Sequence, residues 1–190
     1  VTTREAILAG AEAVFARRGV EAASIGELAG AAGVTRPTVY AHFSGGKADV
    51  VAALVARVRD DVLAAQEVRD TEEPLVIARR AVTEYLDLTV RHRRVLELLA
   101  QLARTDAAYS TVQDELLDRV HRRNARFLLR LAEQGRAAPV MAPVLVSEAI
   151  TGVIRRFAER IDEDPSLRDE LAGAAVAAYV AMGGLIPPAP

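Results

Sequence analysis

Apolar residues recur at helical spacing along almost the whole chain. Ile7, Leu8, Ala11, Val14 and Phe15 fall on one face of a first helix. Gly19 ends that helix just after Arg17 and Arg18, whose charge suits the negative end of a helix dipole. Ser24 and Glu27 have the spacing of a capping box and open a short second helix. Gly33 closes it with a tight turn that calls for positive φ. Thr35 caps a third helix, in which Pro37 is tolerated because it sits in the first turn. Ser44-Gly45-Gly46 interrupts the pattern, and a longer amphipathic helix follows with Val50, Val51, Leu54, Val55, Val58 and Val62 on one face. A polar connection, residues 66–73, comes next. Pro74, Pro143 and Pro165 each read as a first helical position, with Asp164 as a cap. The pattern predicts helices near 74–91, 93–104, 107–135, 143–161 and 165–183. No segment has the alternation of a strand, and no repeat of fixed period is present. The predicted fold is all-α with about nine helices.

Residues 24–43 carry the first sign of function. Two short helices joined at Gly33-Val34 form a helix-turn-helix, whose second helix enters the DNA major groove and meets base edges with its first turn. Val39 and Phe43, four residues apart, turn toward a core with Leu28, Ala32 and Phe15. Arg36, Pro37, Thr38 and Tyr40 are left facing outward, with His42 at the rim. Arg36 has the fork that bonds guanine O6 and N7 together; Pro37 and the Thr38 methyl suit a thymine methyl. Tyr40 and His42 suit phosphate oxygens. Lys47 adds charge to the free amides opening the next helix, and Ser24, with Thr35, marks capped helix starts that can clamp phosphate. The competing readings are a rim aromatic for Tyr40, a solvated helix end for His42 and a plain surface charge for Arg36.

Arg4-Glu5-Ala6-Ile7-Leu8, Phe15-Ala16-Arg17-Arg18-Gly19, Ser24-Ile25-Gly26-Glu27-Leu28-Ala29, Ala32 to Tyr40, His42-Phe43 and Lys47 together resemble the TetR family of bacterial transcriptional regulators. The resemblance is dense over roughly residues 4–54, and beyond them it extends only to helix number and length. It implies a DNA-binding domain over 1–48 and a helical effector-binding and dimerisation domain over 49–190. It also implies a homodimer held by the last two helices, a palindromic operator and a small-molecule pocket. Gly26 and Ala41 depart from the family, which often places basic or hydrogen-bonding side chains there. That puts more weight on Arg36 for base reading.

Composition complicates this picture. The 190 residues carry a formal net charge of −2, and Lys47 is the only lysine among 24 basic residues. Within residues 1–50, Arg4, Arg17, Arg18, Arg36 and Lys47 are balanced by Glu5, Glu12, Glu21, Glu27 and Asp49. A DNA reader is usually basic. Here placement must replace excess, which implies few ionic phosphate contacts and a shallow salt dependence.

The second half is less distinctive. Tyr85, Gln101, Tyr109 and Asn124, with Phe127, are candidate lining for a mostly apolar pocket; satisfied polar residues of an ordinary bundle core are the competing reading. Arg91 to Arg94 reads as a solvated helix junction. Arg119, Arg122, Arg123, Arg126 and Arg130 read as a solvent face paired with acids. Small residues on the last two helices, with Gly152, Val153, Phe157, Ile161, Leu171, Ala175 and Tyr179, suit an isologous two-fold interface. The uncharged run Leu171–Pro190 is alanine-dominated, broken by Gly183-Gly184 and ends in prolines, so it reads as a packing helix with a frayed tail rather than a membrane span.

Enzymatic chemistry finds no anchor. His42, His92 and His121 lack metal-ligand spacing, there is no cysteine, and no phosphate-cradling glycine loop is present. No catalytic residue, metal or cofactor is expected. The N-terminal residues lack the apolar core of a signal peptide, so a cytoplasmic protein is expected. The expectation is a ligand-responsive regulator, a repressor by preference. Its rivals are a non-specific architectural DNA binder and a ligand-binding or enzymatic bundle with a vestigial helix-turn-helix.

Overall fold

In the computed structural model, residues 2–64 and 73–186 are described. They form α1 (Thr3–Ala22), α2 (Ile25–Ala32), α3 (Arg36–His42), α4 (Lys47–Ala64), α5 (Pro74–Leu102), α6 (Ala107–Glu133), α7 (Pro143–Glu163) and α8 (Arg168–Gly183). A 3-10 turn, Pro165–Leu167, precedes α8, and no strand is present among the described residues. The fold is all-α, as the periodicity predicts. The polar connection falls largely on residues 65–72 and the terminal prolines on residues 187–190, outside the described part.

Local chemistry sets most boundaries. Thr2 and Glu5 form a capping box on α1, and Gly19 leaves helical geometry at φ 74° where the sequence predicts an end. Ser24 and Glu27 cap α2 reciprocally, and Gly33 closes it in the left-handed conformation. Asp164 accepts from the Ser166 amide at 3.0 Å and so caps the 3-10 turn rather than α8 itself.

One prediction is overturned. The separate helices expected near 74–91 and 93–104 are a single α5. Arg91-His92-Arg93-Arg94 holds no proline, glycine or cap, and arginine is a good helix former, so nothing stops propagation there. Nor is that run solvated throughout: His92 is buried, and Arg93 pairs with Asp162 at 2.5 Å.

The chain divides into two compact units, Val1–Asp61 with Arg94–Ser110, and Val62–Arg93 with Thr111–Pro190. The functional boundary expected near residue 48 is therefore not a packing boundary. In the first unit α1 packs on α2 and α2 on α3. Ile7, Val14, Phe15, Leu28, Val39 and Phe43 are buried there, so the apolar face read from the sequence is the core face. In the second unit Leu86, Leu128, Val146, Ile150, Ile154 and Ala158 belong to one core. α7 packs on α8, whose Ala172 and Ala175 are buried in the same core. No described helix is long and apolar enough to cross a membrane.

Candidate nucleic-acid interface and effector cavity

The third helix presents the face that the sequence predicts. Thr35 accepts from the Thr38 amide and caps α3. Val39 is fully buried, and Phe43 caps the other end from inside the core. Thr35, Arg36, Pro37, Tyr40 and His42 are exposed together, while Thr38 is half-buried with its hydroxyl 2.9 Å from that of Thr35. The Tyr40 ring is half exposed and lies beside Gly46 and Ile25 without entering the core. Arg36 lies over Gly26, where an added Cβ would fall 2.5 Å from its Nη2. The missing side chain at Gly26 thus makes room for the guanidinium of Arg36.

Two expected phosphate ligands have other work. The Lys47 ammonium donates to the carbonyls of Val20, Glu21 and Ala23 at 2.8, 3.0 and 2.9 Å. An ammonium has three donors, and all three are engaged. Lys47 is a clasp on the C-terminal end of α1, and the phosphate contact expected of it has no donor left. Its spacing in the sequence could not show this, because the carbonyls lie more than twenty residues upstream. Ser24 is likewise engaged by Glu27, donating its hydroxyl to Oε2 at 2.9 Å. Glu27 also pairs with Arg18. The Ser24 amide, then the Ser24 hydroxyl and Arg18, hold the Glu27 carboxyl below its ordinary range. Glu27 thus remains ionised at neutral pH and already supplies an anion to the start of α2. Arg4 is held over the Phe43 ring at 5.1 Å.

The second unit contains a cavity of about 420 Å³, whose described lining residues all belong to that unit. Tyr85, Asn124 and Phe127 line it, as the sequence predicts. Gln101 and Tyr109 do not: both fall on the Arg94–Ser110 segment of the first unit. Tyr179 lines the cavity and donates to Asn124 Oδ1, while Asn124 Nδ2 donates to the buried Ser147 hydroxyl at 3.2 Å. Thr151 also lines the cavity and donates its hydroxyl to the Ser147 carbonyl at 2.8 Å. Burial pushes the Tyr85 and Tyr179 phenols above their ordinary range, so each stays a neutral hydroxyl.

The structure corrects two further expectations. Ile161, Leu171, Ala175 and Tyr179 are buried within the chain itself, so they have no surface to offer a partner. Their small or apolar character marks a core as readily as an interface. Gly152 is exposed, and Val153 and Phe157 are half-buried, so these three keep accessible surface. Arg123 is half-buried in the cavity wall rather than on a plain solvent face, while Arg126 and Arg130 border the cavity and stay exposed, as expected. Charge alone points Arg123 to solvent, although it lies three residues from Val120 and four from Phe127 on the same helix. Arg122 does follow the expected pattern, pairing with Asp118 at 3.0 Å.

Comparison with known proteins places this geometry. Residues 7–54 match the family model of bacterial regulatory proteins of the tetR family. The HTH-type transcriptional repressor BepR of Brucella suis is 36% identical over 95 residues, which are 48% of this chain and 45% of that protein. The HTH-type transcriptional regulator TtgR of Pseudomonas putida is 35% identical over 103 residues, 51% of this chain and 49% of that protein. The matched stretch thus spans about half the length of these curated relatives. Among solved structures, a TetR-like transcriptional regulator from Rhodococcus sp. RHA1 shares the fold with a TM-score of 0.73 at 23% identity, over 96% of both chains. NalD, the secondary repressor of the MexAB-OprM multidrug efflux pump in Pseudomonas aeruginosa, is 25% identical, with a TM-score of 0.69 over 98% of both chains.

Proposed function

Because the chain belongs to the TetR family of bacterial regulatory proteins, we propose that it is a ligand-responsive transcriptional repressor. In this reading it binds a palindromic operator as a homodimer and is released by a small-molecule effector. The observation that carries the reading is the exposed face of α3: Arg36, Pro37 and Tyr40 stand out from a capped helix whose other side, through Val39, is buried. Arg36 reads guanine, Pro37 and Thr38 meet thymine methyls, and Tyr40 and His42 reach phosphate. Thr35 offers its capped helix start. Base reading rests mainly on Arg36, since the α3 face has no other fork-shaped donor.

The effector occupies the cavity of the second unit, whose size lies within the range of about 300–1,000 Å³ usual for ligand pockets. Its binding shifts the dimer between two states, and it does so only if it prefers one of them. Two recognition helices must span half-sites about 34–36 Å apart, or a multiple, so a modest change in their spacing loses register. The partner surface uses Gly152, Val153 and Phe157 of α7, with the exposed Gly173, Ala174 and Ala177 of α8. Small residues let helices of two copies approach closely.

The test is a binding titration of the full chain against its own promoter duplex and a random duplex at moderate salt. Selective binding is expected, and Arg36→Ala is expected to cost about 1–3 kcal/mol in operator affinity. Equal binding to both duplexes would make the protein an architectural DNA binder. No DNA binding at all would leave a helical ligand-binding bundle.

A further inference from the structure

The geometry points to an amphipathic organic anion as the occupant of the second unit's cavity: an apolar body with one carboxylate- or phosphate-type head, the head directed at Arg123, Arg126 and Arg130. This inference deepens the proposed function and rests on its reading of the cavity as the effector site.

Three features of the lining carry it. First, the body of the cavity is apolar, with Ile77, Val82, Leu88, Phe127, Ile150 and Ile154 in its wall, so the occupant must bring apolar surface. Second, Asn124, Thr151 and Tyr179, neutral polar residues of the wall, already have protein partners. Asn124 uses its amide on Ser147 and its carbonyl on Tyr179, and Thr151 donates to the Ser147 carbonyl. A neutral polar ligand would have to displace one of these bonds. Third, among the described residues the wall holds three cations and no carboxylate. Arg123, Arg126 and Arg130 sit at spacings of three and four on α6, which brings them to one side of the helix. None forms an ion pair with a carboxylate among the described residues, whereas Arg57, Arg93, Arg136 and Arg168 pair with Glu12, Asp162, Glu73 and Asp87.

Arg123 is the innermost argument. It is half-buried, and desolvation opposes its charge, reinforced by Arg130 and Arg80 and countered by Glu84, which is not part of the wall. A guanidinium partly withdrawn from water and without an ion-pair partner among the described residues is stabilised by any anion that reaches it, and its planar fork suits a carboxylate or phosphate in two-point contact. Arg126 and Arg130 are exposed on the same side of α6 and border the cavity. The same three charges repel a cationic amphipath of equal size.

Two fluorescent probes with one apolar body separate the contributions. 8-Anilino-1-naphthalenesulfonate carries an anionic head, and N-phenyl-1-naphthylamine is the same body without it. For the full chain, the sulfonate is expected to bind at least tenfold more tightly than the amine. Arg123→Gln should weaken sulfonate binding about tenfold and leave amine binding within twofold. Arg123→Lys should retain most of the sulfonate affinity, which a purely structural role of the side chain would not predict. Ala81→Trp, placed in the cavity wall, should abolish binding of both. Displacement of the sulfonate by decanoate and by decyl phosphate, but not by 1-decanol, extends the assignment, and the stronger competitor identifies the head. Equal affinity for the two probes, or no effect of Arg123→Gln in a protein of unchanged Tm, overturns the anion and leaves the cavity standing as a ligand site. Binding of neither probe, or binding that survives Ala81→Trp, overturns both.

Discussion

Gly184→Ala is expected to be the most destabilising single-methyl substitution in the second unit, costing about 3–5 kcal/mol and lowering Tm by roughly 10 °C. Gly184 ends α8 in the left-handed conformation at φ 56°, with its amide bonded to the Val180 and Ala181 carbonyls. Any L side chain is strained there. The larger effect comes from its neighbour, because an added Cβ would penetrate the carbonyl of Ala138. That atom is backbone, so no rotamer change relieves the overlap. The clash lies inside a short pairing of two segments. Ala138 donates to the Gly184 carbonyl at 2.8 Å, Val140 to Met182 at 3.0 Å and Ile186 to Arg136 at 3.0 Å. Ala137 and Leu185, which bridge there, are both buried in the core. Gly135→Ala is the control, since Gly135 has φ 69° but nothing within 4 Å of an added Cβ. It should cost only about 1 kcal/mol, the strain of the left-handed backbone alone. Thermal denaturation of both variants measures the difference. Equal losses would mean that the segment from Arg136 to Val140 is not seated on α8 as described.

Lys47→Met should destabilise the first unit by about 2–3 kcal/mol, on the scale of hydrogen bonds from a charged donor. The methionine keeps the apolar stem and removes three bonds to the Val20, Glu21 and Ala23 carbonyls. Those carbonyls close the end of α1, just before the capped start of α2, so α2 and α3 lose a fixed origin. Two readouts separate this role from a phosphate contact. Tm should fall, while the slope of log affinity against log salt stays unchanged at a temperature where the variant is folded. Loss of a phosphate contact would reduce that slope by about 0.9 for each contact. A shallower slope at unchanged Tm would restore Lys47 to the DNA interface.

Removing Lys47 from the interface sharpens the charge argument. Of the basic residues in the first 50, Lys47 clasps α1, Arg18 pairs with Glu27, and Arg4 lies over Phe43. Arg36 remains on the exposed face of α3, and Arg17 remains exposed on α1. Binding by such a surface depends more on neutral donors and on groove fit than on counterion release. The salt slope should therefore be low for a helix-turn-helix protein.

How far the chain could be read depended on how far apart the interacting residues lie. Helix starts and stops were legible because caps act over three or four residues, as at Ser24 with Glu27 and at Gly33. The α3 face was legible because Val39 and Phe43 fix the rotation of a short helix, and that turns Arg36 and Tyr40 outward. The continuity of α5 is not legible from its basic run Arg91–Arg94, which has the look of a junction although charge does not interrupt a helix. Tyr179 was assigned to a partner surface and Arg123 to solvent by residue type. Each is placed instead by helices that the sequence brings no nearer than their order in the chain.

The amino-acid order alone therefore decided the all-α class, the capped helix-turn-helix and the side of α3 that faces out, because all three follow from local hydrogen bonding and helical periodicity. Packing decided the rest. Lys47 reaches carbonyls more than twenty residues away, and Tyr179 reaches Asn124 across 55 positions. Three arginines of α6 become cavity wall only when α5, α7 and α8 enclose the space beside them. A polar or charged group takes its role from the partners within a few ångströms, and periodicity cannot say which distant residues those will be.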